Sequence, residues 1–470
     1  MSTLPLAPVL ASASKNFSES VERLSDFLKI PSVSTDSAYN DATQRAAKWA
    51  SDQLAELGFK SSVRKTKGHP MVVAHHPGPE GPKSAKVPHI LYYGHYDVQP
   101  ADPLDLWKSP PFEPTVVKSP YGKKIVARGA VDDKGQVMTF IEAFRAWMTA
   151  HKTMPVKVTV LLEGEEESGS LSLDPFLKAN KKELSADVCV VSDTGMWDIK
   201  TPAITYMLRG LVYIEATLHG PSHDLHSGMY GGSLVNPATA LCGVLSQLHD
   251  KNRKVQIPGF YDDVIELTKS EKKMWAALKF NEKEFLGSAG MKTPYGEKGR
   301  TTLERTWSRP TCEINGIYGG YTGKGAKTVI GASATAKISC RLVAAQDPKK
   351  VKANLMKFLK ERTPVDCRWE FHDHGCSPAI RVPTSSPWLE AAQRGLQEVY
   401  KKQPFLIGTG GSIPLVGSVQ KILGFDSLLV GFGLDDDRVH SPNEKFELTC
   451  YEQGIRSHAA ILAEFAGLKG

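Results

Sequence analysis

His89-Ile90-Leu91-Tyr92-Tyr93-Gly94-His95-Tyr96-Asp97 decides how the rest of the chain is read. Residues 89–93 are a short apolar run of strand-forming types, and the chain passes directly from them into a glycine, an imidazole and a carboxylate. The arrangement recurs. Residues 125–126 lead into Arg128-Gly129-Ala130-Val131-Asp132-Asp133-Lys134-Gly135, and residues 156–162 into Glu163-Gly164-Glu165-Glu166-Glu167-Ser168-Gly169. Residues 188–191 lead into Ser192-Asp193-Thr194, and 428–432 lead, past Asp435-Asp436-Asp437, to His440. Helical patterns accompany these runs at 18–30, 42–57 and 136–151, the first carrying Val21, Leu24, Phe27 and Leu28 on one face. Strands alternating with helices predict an α/β domain with a mainly parallel sheet flanked by helices. In such sheets ligands bind outside the carboxyl ends of the strands, so the five segments are expected to meet at one crevice.

Each segment alone has an ordinary reading. A histidine after a strand is commonly a surface residue, Glu163 to Glu167 could be a solvated turn, and Asp435 to Asp437 reads as one. Asp132-Asp133 could simply favour the dipole of a following helix. Jointly, five strand ends supplying imidazole or carboxylate, with no basic cluster to balance them, would be costly unless cations filled the site. The donors offer nitrogen and oxygen without thiolate, which suits zinc, manganese or cobalt and disfavours copper(I) or iron–sulfur centres. Three carboxylates and a hydroxide neutralise two divalent ions. A pair of ions about 3.5–4 Å apart can sharpen a water into a nucleophile and polarise a carbonyl, so the set favours a hydrolase.

The chain of 470 residues is long enough for two domains, and its 41% hydrophobic and 23% charged residues are those of a globular protein rather than a disordered or fibrous one. Its net charge of +7 is spread out, which argues against nucleic acid or an anionic membrane as partner. Seven scattered cysteines without a C-x-x-C pair imply neither a disulfide framework nor a cysteine zinc site and fit a reducing compartment. No apolar run approaches the ~18 residues of a membrane span. The start, through Ser14, is proline-broken without a preceding basic residue, so a soluble cytoplasmic protein is expected.

From about Leu211 the texture changes to strand 211–218, a helix opened by Asn236-Pro237, strand 334–343, a helix opened by Asp347-Pro348 and strand 367–372. This predicts a small α+β sandwich inserted in the larger domain, with a helical excursion near 271–280. The α/β pattern resumes with helix 386–400. The expected domains are therefore 1–210 and 379–470 for the larger one and 211–378 for the insert. No G-x-S-x-G nucleophile elbow occurs. Gly320 to Thr328 resembles a phosphate-binding loop, but Ala326 stands before Lys327-Thr328 where the motif needs its lysine directly after glycine. A nucleotide-binding regulator using that loop is the reading of a different class.

At these residues the sequence resembles the M20 family of metallopeptidases, in its cytosolic non-specific dipeptidase and carnosinase branch. The resemblance covers nearly the whole chain: Gly94 to Pro100, Trp107 to Phe112, Arg128 to Gly135, Glu163 to Ser170, Asp224 to Gly228, Asn315 to Thr328, Gly410 to Pro414 and His440 to Glu444. It implies a catalytic α/β domain interrupted by a ferredoxin-like lid that makes a homodimer, and two divalent ions, Zn2+ or Mn2+, per chain. By the same resemblance Asp132 bridges the metals, His95 and Asp193 complete one site, and Glu167 and His440 the other. Asp97 holds the His95 imidazole, Glu166 is the general base, and the Asp132–Asp133 peptide is cis. His226, Thr328, Arg341 and Ser412 are implied to bind a dipeptide substrate, an arginine suiting its terminal carboxylate. Close dipeptidase relatives carry an Arg-Glu pair where this chain has Gly408-Thr409, a departure that bears on substrate preference. A deacylase of N-acyl or N-carbamoyl amino acids is the alternative on the same scaffold.

Overall fold

A computed structural model describes residues 4–80, 87–411 and 413–468. The first apolar runs become the strands His89–His95 and Lys157–Glu163, parallel neighbours with Ile90 opposite Val158 and His95 opposite Glu163. Val188–Val191 lies parallel on the other side of His89–His95, and Ser427–Leu429 parallel beyond it. Antiparallel strands extend both flanks: Met71–His76 and Lys60–Arg64 beyond Lys157–Glu163, and Ala203–Leu208 beyond Ser427–Leu429. Nearly every residue of the four central strands is buried, as in parallel sheets covered on both faces. Being parallel, these strands end along one edge, and the segments after His95, Glu163 and Val191 leave the sheet there.

Helix Lys134–His151 packs on this sheet and on the last helix, Leu448–Phe465. Its Phe140 and Phe144 meet Tyr92 at ring-centroid distances of 5.2 and 5.1 Å. Burying each phenylalanine contributes roughly 1.5–3 kcal/mol. A separate antiparallel sheet of Thr115–Ser119, Gly122–Val126 and Lys445–Glu447 places Lys445 opposite Val126. That pairing lays the chain before Lys445 alongside the chain after Val126.

Two departures from the sequence reading have physical causes. The helix Leu448–Phe465 is absent from the sequence reading; it is buried over most of its surface, with a narrow part-exposed stripe at Glu452, Gln453, Arg456 and Glu464, so its amphipathic pattern is weak. At the start, Pro8 falls in the first turn of helix Ala7–Lys15, where a missing N–H costs nothing, and begins a helix instead of breaking one.

The chain divides into two compact units: Met1–Tyr206 with Val382–Ile407 and Pro414–Gly470, and Met207–Arg381 with Gly408–Ile413. In the second, four antiparallel strands stand in the order Thr311–Gly319, Ser333–Leu342, Gly210–His219, Arg368–Ser377. Helices Pro237–Leu245 and Pro348–Lys360 connect them in a ferredoxin-like β-α-β-β-α-β succession. Asp347 caps the second helix by accepting from Lys349 N at 2.9 Å. Val351, Leu355, Phe358 and Leu359 pack with Val212, Ile214, Ile338 and Cys340 into this unit's own core. The strand Thr311–Gly319 is missing from the sequence reading because a bulge between Ile314 and Gly316 interrupts its alternation.

Candidate metal centre

The first unit gathers the strand-end side chains into two groups that share a carboxylate. Ligand atoms of His95, Asp132 and Asp193 all lie within 4.8 Å of one another, and so do those of Asp132, Glu167 and His440. His95 Nε2 stands 3.2 Å from Asp132 Oδ1, while His440 Nε2 stands 2.9 Å from Asp132 Oδ2 and 3.3 Å from Glu167 Oε2. His95 ends its strand and is fully buried; His440 sits on a loop, in the left-handed backbone region at φ 59°, and is exposed. Asp193 follows Val188–Val191. The crossing there is tight: a Cβ on Gly431 would stand 2.0 Å from the Thr194 carbonyl oxygen, so only glycine lets 430–433 lie against 192–195.

Asp97 lies beneath this arrangement. Its carbonyl oxygen is 3.1 Å and its Oδ1 3.4 Å from His95 Nδ1, and its two carboxylate oxygens accept from the backbone N–H groups of Glu166 and Glu167 at 3.3 and 3.0 Å. One residue therefore orients the imidazole and the acidic turn together. Gln99 Nε2 donates to Glu167 Oε2 at 2.8 Å. The Asp132–Asp133 peptide is cis.

The electrostatics are those of a site built for cations. Burial and then the acids Asp132, Glu166 and Glu167 push the Asp193 carboxyl well above its ordinary range, with His95 opposing. Burial also raises Glu166, to about 7, with Glu167, Asp97 and Asp132 adding to it against His95. Burial opposes charge on His95, yet the nearby carboxylates of Asp132, Asp97 and Asp133 prevail and lift it well above the imidazole range. Bonding to Asp132 and Glu167 raises His440 to about 10. Asp132, although buried, is held below its ordinary value by the two histidines. Buried His95 Nε2 and Glu167 Oε1 have no hydrogen-bond partner, which a cation would supply. Imidazole and carboxylate donors at these positions fit a divalent ion.

Other residues fix the geometry and escaped the sequence reading. Glu444 Oε1 accepts from the N–H groups of Val131 and Asp132 at 2.9 and 3.1 Å, and its Oε2 from Gly129 N at 3.0 Å and Arg128 Nη1 at 2.6 Å. It thereby binds the loop carrying Asp132 to the loop carrying His440. Asp133 Oδ2 accepts from His95 N at 3.0 Å, and Glu165 accepts from His69 N and Ser172 N at 2.9 and 3.0 Å. No local pattern marks such long-range bonds; only the carboxylates themselves are visible. Of the run expected to be a solvated turn, Asp437 is instead fully buried and paired with Lys445 at 2.6 Å, because the Lys445 strand pairing draws it inward.

The implied substrate residues belong to the second unit. His226 pairs with Val329, and Ser227 N donates to the Thr328 carbonyl at 3.1 Å, so His226 and Thr328 are neighbours; both are exposed. Arg341 is half-buried, opposite Leu211 on one side and Thr311 on the other. Ser412 lies outside the described residues. The glycine-rich run ending at Thr328 leads into the strand Val329–Ile330, not into the helix that a phosphate-binding loop requires. Among the described residues no helix is long and apolar enough to cross a membrane.

The model of peptidase family M20/M25/M40 matches residues 91–464. The Cys-Gly metallodipeptidase DUG1 of Candida albicans is 33% identical over 98% of this chain and 97% of its own. The Beta-Ala-His dipeptidase of Homo sapiens is 31% identical over 81% of this chain and 75% of its own. The structure of an M20 family metallo-carboxypeptidase, Sso-CP2 from Sulfolobus solfataricus, superposes with a TM-score of 0.82 at 32% identity, over 96% of this chain and all of the other.

Proposed function

Because the chain belongs to peptidase family M20/M25/M40, we propose that it is a metallodipeptidase that holds two divalent ions, zinc or manganese, and releases the C-terminal residue of dipeptides and short peptides. The observation that carries this reading is Asp132, shared between two groups of candidate ligands, with His95 and Asp193 on one side and Glu167 and His440 on the other. When bound, two such ions polarise the scissile carbonyl and acidify a water. Asp97 keeps the His95 imidazole in one orientation. Glu166 takes the proton of the attacking water and hands it to the leaving amine. Burial and its acidic neighbours favour the protonated form of its carboxyl, as the return of the proton to the amine requires.

In the second unit Arg341 receives the terminal carboxylate, with His226, Thr328 and Ser412 as further substrate contacts. That unit acts as the lid and joins two copies of the chain, and the enzyme works in the cytoplasm with its cysteines as thiols, as they stand here.

The test is a substrate panel given to metal-free protein reconstituted separately with zinc, manganese and cobalt. The expected result is hydrolysis of free dipeptides, with loss of activity on their C-terminal amides. Preferential cleavage of N-acetyl or N-carbamoyl amino acids would replace the peptidase reading with the deacylase one.

A further inference from the structure

Arg209 links the strands Ala203–Leu208 and Gly210–His219 and belongs to none of the motifs discussed above. Its Nη1 lies 3.4 Å from Thr311 Oγ1 and 3.5 Å from the Arg305 carbonyl, both at the limit of a hydrogen bond, and its buried Nε has no partner. Thr311 is the cross-strand partner of Arg341. The two arginines therefore flank one residue, Arg209 through its guanidinium and Arg341 through strand register, on the face of the sheet turned away from the Ile214, Ile338 and Leu355 core, and Arg209 feels the charge of Arg341. Among the described residues neither arginine has a carboxylate within 4 Å, whereas Arg309 and Arg381 of the same unit are paired with Glu297 and Glu271. Burial, and next the charge on Arg341, lower the Arg209 pKa to about 10, with Glu313 opposing. Burial lowers Arg341 as well.

Two adjacent cations that are half withdrawn from water and unpaired are unfavourable until an anion joins them. The backbone beside them is bare: a Cβ on Gly410 would stand 2.8 Å from Arg209 Nη2, so this glycine leaves the guanidinium room at the start of the Gly410-Gly411 segment. Guanidinium groups recognise carboxylates through parallel N–H···O bonds, and two of them can engage both oxygens at once.

We propose that Arg209 is a second carboxylate-binding residue, which with Arg341 forms a two-guanidinium clamp for the terminal carboxylate of the substrate. The clamp rests on the peptidase reading only for the identity of its ligand. Thr311 orients Arg209 rather than touching the carboxylate. The second cation makes the free C-terminus a stronger requirement than one arginine would, and it acts on binding, so it governs KM more than kcat.

The experiment compares Arg209→Met and Arg209→Lys with the unaltered full chain, loaded with metal, on one dipeptide and its C-terminal amide. Arg209→Met is expected to raise KM for the free acid by about tenfold or more, with kcat little changed and the amide unaffected; Arg209→Lys recovers part of the loss. Equal losses on acid and amide would make Arg209 a structural residue and overturn the proposal. A readout independent of turnover is calorimetric titration of the full chain with propionate against propionamide at constant ionic strength. Propionate alone should bind, and Arg209→Met should weaken it. Binding that is the same in Arg209→Met, or chloride competing as well as propionate, would also overturn the clamp. If no peptide is hydrolysed yet propionate binds through Arg209, the peptidase reading fails and the clamp stands.

Discussion

Glu166 and Glu167 are adjacent, yet a single short 3-10 turn, Glu166–Ser168, sends their side chains in different directions. In such a turn successive residues point about 120° apart. Glu167 reaches His440 and Gln99, which leaves Glu166 for the proton transfer proposed above. Glu166→Gln should retain bound metal while kcat falls by ~10²–10⁴, and Glu167→Gln should lose metal as well; metal analysis beside steady-state kinetics separates them. The reverse pattern would exchange the two roles. A second residue-scale effect lies in the core. His458, packed among Tyr92, Phe140 and Phe432 and 3.2 Å from Ser192 Oγ, is pushed by burial from 6.5 to about 3. The folded state keeps this imidazole neutral, whereas the unfolded chain takes up a proton below about 6.5, so stability is present above that pH and is lost as pH falls toward 3. Denaturant titrations between pH 4 and 7 should show His458→Gln removing a slope of up to roughly 1.4 kcal/mol per pH unit. An unchanged slope would mean that the proton uptake lies elsewhere.

At the scale of elements, what was legible in the sequence was what strands and helices announce locally. The runs ending at His95, Glu163 and Val191 carry both their strand signal and their donors, and the helices at 134–151 and 387–400 show apolar periodicity near where they form. The joints between elements were not legible, because they depend on partners hundreds of positions apart. Glu444 is the clearest case: it lies in a segment the resemblance covers, but its work is to accept four bonds from the loop 128–132. Removing it frees buried N–H groups beside Asp132 and loosens two candidate ligands together. Glu444→Ala should weaken metal binding about 10–100-fold, and Glu444→Gln, which keeps one acceptor oxygen, should recover part of it. Metal affinity measured with a chelating indicator checks this. Unaltered affinity in Glu444→Ala would mean that the two loops hold their shape without it.

For the whole molecule, the α/β fold and the inserted α+β unit follow from a change of texture that composition and periodicity register, although each unit gained elements that the pattern hid. The bulged strand Thr311–Gly319 and the helix Leu448–Phe465 were concealed by irregular alternation and by burial of most of the helix surface. The substrate residues proposed in the second unit rest on resemblance alone. Nothing about an arginine on a half-exposed strand marks it as a ligand, and Arg209 had no signal at all beyond its charge. The metal centre differs, since its five candidate ligands follow strands that the topology must bring to one edge. Its decisive feature is one carboxylate, Asp132, common to two groups of candidate ligands, and counting ions tests directly whether it serves two. Metal analysis of the reconstituted chain should give about two divalent ions per chain, Asp193→Ala should keep about one, and Asp132→Ala should keep close to none. A single ion in the unaltered protein, or two ions retained without Asp132, would contradict the shared centre.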